Sequence, residues 1–260
     1  MRRWAFGLLY TAGRVLEVAG ALLHYAAAGT LSLAELRQGM AGRWTAFGNR
    51  ESEPYRDSGL MPWERDFYLP SVKPGERVLL VGCGTGRDLL ALLRAGYRVD
   101  GIDIAPDCVE TARHAVAARV LSSWLAAGAL GDVALPARYD AIIFSWFCYG
   151  YIPGSGARIA TLHRARQALA DGGRVLISYL PVAVSRRYRL VAATRVVARL
   201  TGSDWRPERG DAVILGLARG RGVHYEHHFT TAELEGEARA AGLRVAQNAV
   251  TDDGHAILIV

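Results

Sequence analysis

Three glycines at alternate positions, Gly82, Gly84 and Gly86, follow the apolar run Val78-Leu79-Leu80-Val81, and a helical pattern opens at Leu89. Glycine suits a backbone that must turn sharply, or that lies against a ligand with no Cβ in between. Strand, glycine turn and helix N-terminus in that order make a cradle for a nucleotide-like cofactor. The spacing excludes two classes. A dinucleotide fingerprint needs a glycine where Arg87 stands, counting from Gly82, or where Leu89 stands, counting from Gly84. A P-loop needs Gly-Lys-Ser/Thr, which does not follow. Asp103 ends the next apolar run, where a carboxylate can accept hydrogen bonds from both hydroxyls of a ribose. Candidate general bases are His224, His227 and His228, in the run Val223–Phe229, together with Tyr179. Imidazole titrates near neutrality and suits proton transfer. His227 and His228 fall on opposite sides of any strand, which spoils a shared metal site, and no metal is expected.

The G-x-G-x-G block with Asp103 resembles motif I and the acidic position after it in the class I S-adenosylmethionine-dependent methyltransferases, and the resemblance covers residues 76–260. It implies a Rossmann-like fold and S-adenosylmethionine as cofactor. Gly82, Cys83, Gly84, Gly86 and Ser145 are then cofactor contacts, Asp88 faces the methionine part, and Asp103 holds the ribose. Gly131-Asp132-Val133 is similar to the acidic motif on the adenine side, which assigns Asp132 to the adenine amino group and Ile104 or Val133 to the ring face. In this family the loop after the fourth strand sits beside the transferred methyl. Here it reads Phe144-Ser145-Trp146-Phe147-Cys148-Tyr149-Gly150-Tyr151, without the Asn/Asp-Pro-Pro-aromatic stretch of enzymes that methylate nucleic-acid bases. An aromatic, apolar loop suits a flat or greasy small molecule. Trp63, Trp146, Tyr149 and Tyr151 are the expected substrate contacts, and Met61-Pro62-Trp63-Glu64 is similar to thiopurine-type small-molecule methyltransferases.

Composition bounds the partners. The 260-residue chain is 51% hydrophobic, ample for a large α/β domain with additions. Its three cysteines, Cys83, Cys108 and Cys148, form no CxxC pair, which fits a reducing, cytoplasmic setting. The net charge of +6 is almost entirely arginine, Lys73 being the lone lysine, and by itself does not make a nucleic-acid binder. A small-molecule substrate is expected and nucleic acid is not. An RNA or protein methyltransferase using the arginines of residues 186–221, or a catalytically silent cofactor-binding protein, stands as the alternative.

The elements that must position these residues alternate. Strands are expected at 78–81, 97–104, 141–145, 174–180, 243–248 and 256–260, and helices at 89–95, 107–118, 159–169, 185–200 and 230–241. This alternation predicts a doubly wound, mostly parallel sheet with helices on both faces, and the Rossmann-like resemblance implies that it is seven-stranded. Residues 71–260 form that domain, with a substrate-side insertion at 181–229, and residues 1–70 form an N-terminal helical cap. Within the cap, residues 4–33 carry apolar side chains at helical spacing, interrupted by Arg14 and Glu17. A core-facing or lid helix is expected there; peripheral membrane contact is the second choice.

Overall fold

The computed structural model describes residues 2–49, 51–182, 190–215 and 223–260. Strand β1 (Arg77–Val81) buries Val78, Leu79 and Leu80 together, as a strand covered on both faces must. It pairs in parallel with β2 (Arg98–Asp103) on one side and β4 (Tyr139–Phe144) on the other. Beyond β2 lies β3 (Leu125–Ala127), a three-residue strand too short to register as a pattern in the sequence. Beyond β4 come β5 (Leu169–Pro181), then β9 (Gly254–Ile259), then β8 (Arg244–Val250). The sheet therefore runs β3-β2-β1-β4-β5-β9-β8, and β9 is antiparallel to both its neighbours. These seven strands make the mostly parallel sheet that the alternation predicts, and a hairpin from the insertion brings the strands among the described residues to nine.

The pleat of β1 divides the core in two. Leu79 joins a cluster with Leu162 of α7 (Ser155–Ala168) and Leu234 and Ala238 of α9 (Thr231–Ala240). Val78 and Leu80 join a second cluster with Leu89 and Leu92 of α5 (Arg87–Arg94) and Val109 and Ala112 of α6 (Pro106–Ala117). Alternate side chains leave a strand on opposite faces, so one apolar run feeds both layers of helices.

The insertion supplies α8 (Val191–Leu200) and an antiparallel hairpin of β6 (Asp211–Leu215) and β7 (Val223–Phe229). The hairpin is attached where Leu180 and Pro181 extend β5 alongside His228 and Phe229. Residues 185–189 of the expected helix lie outside the described residues, as do Arg186, Arg187, Arg189, Arg219 and Arg221 of the basic segment.

The N-terminal region departs from expectation. Helices α2 (Leu33–Gly48), α3 (Glu53–Arg56) and α4 (Pro62–Ser71) do cap the domain, α2 being started by a Ser32/Glu35 capping box. Helix α1 (Arg2–Ala28) does not face the core. Its described side chains are exposed or half-buried until Tyr25 and Ala28, where the helix meets α8 and β6. There the Thr194 hydroxyl donates to the Tyr25 carbonyl at 2.8 Å. The helical spacing of apolar residues is real, but no element among the described residues lies opposite it.

Candidate active site

The glycine loop joins β1 to α5 at the carboxyl edge of the sheet and opens onto a cavity of about 820 Å³. Gly82, Gly84 and Gly86 all have positive φ, of 83°, 52° and 102°. At Gly84 an added Cβ would meet nothing within 4 Å, so this glycine keeps the cavity floor at backbone height. At Gly82 an added Cβ would lie 3.0 Å from the Cys148 sulfur, so this glycine lets the loop after β4 close against the end of β1. An apolar β1 running straight into such a turn delivers main-chain N–H groups and the start of α5 to the same cavity.

Three carboxylates stand around the loop. Asp103, at the end of β2, accepts from the Gly84 N–H through Oδ2 and from the Ala105 N–H through Oδ1, both at 2.9 Å. Burial pushes its pKa up, and the two main-chain bonds hold it back. Asp88, on the first turn of α5, accepts from the Ser145 hydroxyl through Oδ2 at 2.5 Å. Its pKa is lifted to about 6, by burial first and then by the nearby Glu64 carboxylate. Its Oδ1 lies 2.6 Å from an Arg87 nitrogen but makes no hydrogen bond, and so keeps acceptor capacity. Glu51, just after α2, accepts from the Thr85 hydroxyl across the loop, and burial raises its pKa.

Arg87, in the place where a dinucleotide fingerprint has glycine, binds the cap to this loop. Its two terminal nitrogens reach the two Glu64 oxygens at 2.8 and 2.5 Å. Its guanidinium lies 5.3 Å from the Trp146 ring centre and 5.7 Å from that of Tyr55. Trp146 and Phe147 adopt left-handed backbone, φ 46° and 60°, a strained conformation that large side chains keep only when their surroundings impose it. Here the Phe147 N–H donates to the Ser178 hydroxyl at 3.0 Å, and Trp146 faces the cavity.

Most of the expected cofactor positions share this one cavity: Gly82, Cys83, Gly84, Asp88, Asp103, Ile104, Asp132 and Ser145 line it. Gly86 turns the loop behind it, where an added Cβ would press on Ala112 at 3.2 Å. Val133 does not line it. Its methyl instead packs behind the Gly128 backbone, and Leu130 lines the cavity along with Ile104.

Of the expected substrate contacts, Trp146 and Tyr151 line the cavity, while Trp63 and Tyr149 do not. Trp63 stacks on Phe147 and His255. Tyr149 is fully buried, stacks on Phe229 and donates to Glu237 at 2.6 Å. Phe144 of β4 lines the cavity too, and the cap adds Trp44, Phe47 and Tyr55. The sequence marks these last three only as an aromatic-rich stretch, and nothing in it singles out Glu51.

The candidate bases lie elsewhere. Tyr179 is buried on β5 and donates to Asn248 of β8 at 2.9 Å. His227 is held through Nδ1 by Asp211 at 2.7 Å and through Nε2 by Glu233 at 3.1 Å. Burial lowers its pKa, but those two carboxylates outweigh burial and raise it overall. His228 and His224 turn to the other side of β7 and share Glu226, at 2.9 and 3.0 Å. Burial raises the Glu226 pKa, yet its histidine hydrogen bonds bring it down to about 2. None of these side chains lines the cavity. His224 comes nearest, its ring packing edge-on to Trp44 and Tyr151. Glu208, His227 and Glu233 bring ligand-type atoms within 4.8 Å of one another, but a cation is already there: Arg158 lies 2.8 Å from Glu208 and 4.0 Å from Glu233.

Comparison with known proteins bears on the whole of this assembly. A family model described as "Methyltransferase domain" matches residues 55–248. Among curated proteins, the chain is 30% identical over 145 residues to a ubiquinone biosynthesis O-methyltransferase of Xanthomonas campestris pv. campestris, a match spanning 54% of this chain and 59% of that protein. The chain thus spans about three fifths of the length of the curated relative it matches. Among solved structures, a SAM-dependent methyltransferase of Methanosarcina mazei superposes with a TM-score of 0.59 at 18% identity, over 77% of this chain and 97% of that one. The CcbJ methyltransferase of Streptomyces caelestis does so with a TM-score of 0.59 at 17% identity, over 82% and 94%. With the family model covering more than half of its residues, the chain belongs to the methyltransferase-domain family.

Proposed function

We propose that the chain transfers a methyl group from S-adenosylmethionine to a small aromatic or apolar acceptor. The observation that carries the reading is the single cavity in which the glycine loop and Asp103 face an aromatic wall of Trp44, Phe47, Tyr55, Trp146 and Tyr151. The polar groups suit the cofactor: Asp103 for the ribose hydroxyls, the Gly84 backbone beneath them, Asp132 and Ile104 for the adenine, and Asp88 with Ser145 for the methionine end. When bound, S-adenosylmethionine supplies an electrophilic methyl on a sulfonium, so the protein has little covalent chemistry to perform. Its residues align the acceptor, exclude water and fix the approach, and proximity of that kind supplies about 7–11 kcal/mol of a barrier. A cavity of about 820 Å³ lies within the range of small-molecule sites and offers room for a cofactor beside an acceptor.

Two of the described arginines of residues 186–221, Arg195 and Arg206, favour the small-molecule reading over a nucleic-acid one. Arg195 donates to the Pro207 carbonyl at 2.7 Å and Arg206 to those of Ser203 and Trp205, so these two serve the insertion's own backbone. Catalysis by His227, His228 or Tyr179 finds no support in their positions. The test is calorimetry with S-adenosylmethionine and S-adenosylhomocysteine, followed by a methyl-transfer screen over hydroxylated aromatic acceptors. Micromolar binding with turnover of such an acceptor is expected; absence of binding to either nucleoside overturns the reading.

A further inference from the structure

Helix α1 is left over by everything above. It lines no part of the cavity, and an 18-residue window within Arg3–Ala28 has a mean hydropathy of 1.4 with none of it buried. A soluble domain seldom leaves so large an apolar surface uncovered, and such surfaces mark contacts with a partner or a membrane. At 27 residues the helix is about 40 Å long.

Its faces are not equivalent. Leu8, Val15 and Leu22 recur every seven residues, as do Leu9, Leu16 and Leu23, and these six are between 46% and 72% exposed. With Ala12 and Ala19 between them they form one continuous arc, by the periodicity of an α-helix. Tyr25 and Ala28, the residues that pack on α8 and β6, lie on the opposite side of the helix. Arg14 and Glu17 lie on that side too, paired with each other at 2.7 Å. The leucine arc therefore points away from the body of the protein. On α8, which packs against the end of α1, Val196 and Leu200 are likewise exposed, at 56% and 81%.

We propose that this arc seats the protein on an anionic lipid bilayer, with α1 lying in the plane of the headgroups. Charge and composition select lipid over a second copy of the chain. A water-soluble coiled coil sets its pairing with charges flanking the apolar seam. Here one flank of the arc holds Thr11 and Val18 and the other Gly13 and Gly20, and the only charges between Trp4 and Ala28 are the paired Arg14 and Glu17. Arg199, on α8 beside the exposed Leu200, and the net charge of +6 complement an anionic surface. Trp4, 66% exposed, is the kind of side chain that settles at headgroup depth. A lying helix is favoured over a spanning one because Arg14 and Glu17 sit mid-helix, at the depth where a bilayer tolerates charge least.

The test is flotation of the full-length protein with phosphatidylcholine vesicles containing phosphatidylglycerol, beside the triple variant Leu9→Asp/Leu16→Asp/Leu23→Asp. None of these positions touches the cavity, and an unchanged thermal transition would show that the variant folds. Wild type is expected to float, and the variant to lose at least about tenfold in vesicle partitioning. Three results would overturn the proposal. One is wild-type protein that stays off the vesicles but sediments as a dimer which the variant dissociates. Another is equal flotation of wild type and variant. The third is chain recovered from cells that begins beyond Ala28, which would mean the helix is removed as a leader.

Discussion

The main-chain N–H of Gly84 donates to the Asp103 carboxylate at 2.9 Å, so the turn that follows β1 is tied to the last residue of β2. The bond joins two segments 19 residues apart and fixes the loop over the carboxylate that is assigned to the ribose. Replacing Asp103 removes a charged acceptor from two part-buried main-chain donors, a loss of about 1.5–3 kcal/mol for hydrogen bonds to a charged group. Asp103→Ala should therefore weaken S-adenosylmethionine binding by roughly 10- to 100-fold, measured by titration calorimetry. An unchanged dissociation constant would remove Asp103 from the site.

Asp88 gives the cavity a pH dependence. Its pKa rises on folding from 3.8 to about 6, so the fold favours the protonated form. That contribution to stability is fully present below about pH 3.8 and is lost as pH rises through about 6. The ammonium of the cofactor's methionine end favours the opposite, ionised form. Affinity for S-adenosylmethionine should then increase as pH rises through about 6, with proton release on binding below that pH. Calorimetry in two buffers of different ionisation enthalpy reads the proton directly. In Asp88→Asn the affinity should be lower and flat across this window; a wild type that binds without proton release at acid pH would place the ammonium elsewhere.

Much of this site was legible in the sequence because it is local. Val78 to Gly86 and Asp103 lie at the ends of adjacent strands, and a strand, turn and helix in succession fix one another's geometry. What was not legible depends on distant chain. His227 reads as a base until Asp211 of β6 and Glu233 of α9 are seen to claim both its nitrogens. Trp63 reads as a substrate contact until His255 and Phe147 stack on it. Glu51 belongs to no motif, and only the packing of the cap over Thr85 brings it to the loop. For α1 the apolar spacing was visible, but a pattern shows that a face is apolar and not what covers it.

Arg158 holds a buried ion-pair cluster away from the cavity. It is wholly buried, its Nη2 lying 2.7 Å from Glu237 and 2.8 Å from Glu208, and its guanidinium packs 5.2 Å from the Phe229 ring centre. Arg158→Met leaves Glu237 buried without its cation, a type of change that costs about 3–5 kcal/mol. For a chain of this size that is a fall of roughly 10 °C in Tm. Adding Glu237→Gln should recover part of the loss, because the stranded charge is then gone. If the two substitutions simply add in a thermal-melt cycle, the pair is not coupled and the account of Arg158 fails.

Trp44 and Tyr151 carry the last prediction, since they separate acceptor binding from cofactor binding. Their ring centres are 5.0 Å apart, one from the cap and one from the loop after β4, and both line the cavity beyond the glycine loop. An aromatic acceptor seated against them gains about 0.5–1.5 kcal/mol per ring contact beyond simple burial. Tyr151→Ala should then raise the acceptor KM by roughly tenfold, leaving the S-adenosylmethionine dissociation constant within about twofold of wild type, a difference of less than 0.5 kcal/mol. Tyr151→Phe, which keeps the ring and loses only the hydroxyl, should stay close to wild type in KM. If Tyr151→Phe instead abolishes turnover while KM holds, the hydroxyl and not the ring is what the acceptor needs. Tyr151 would then belong to the proton transfer, and a hydroxyl acceptor would follow from kinetics alone.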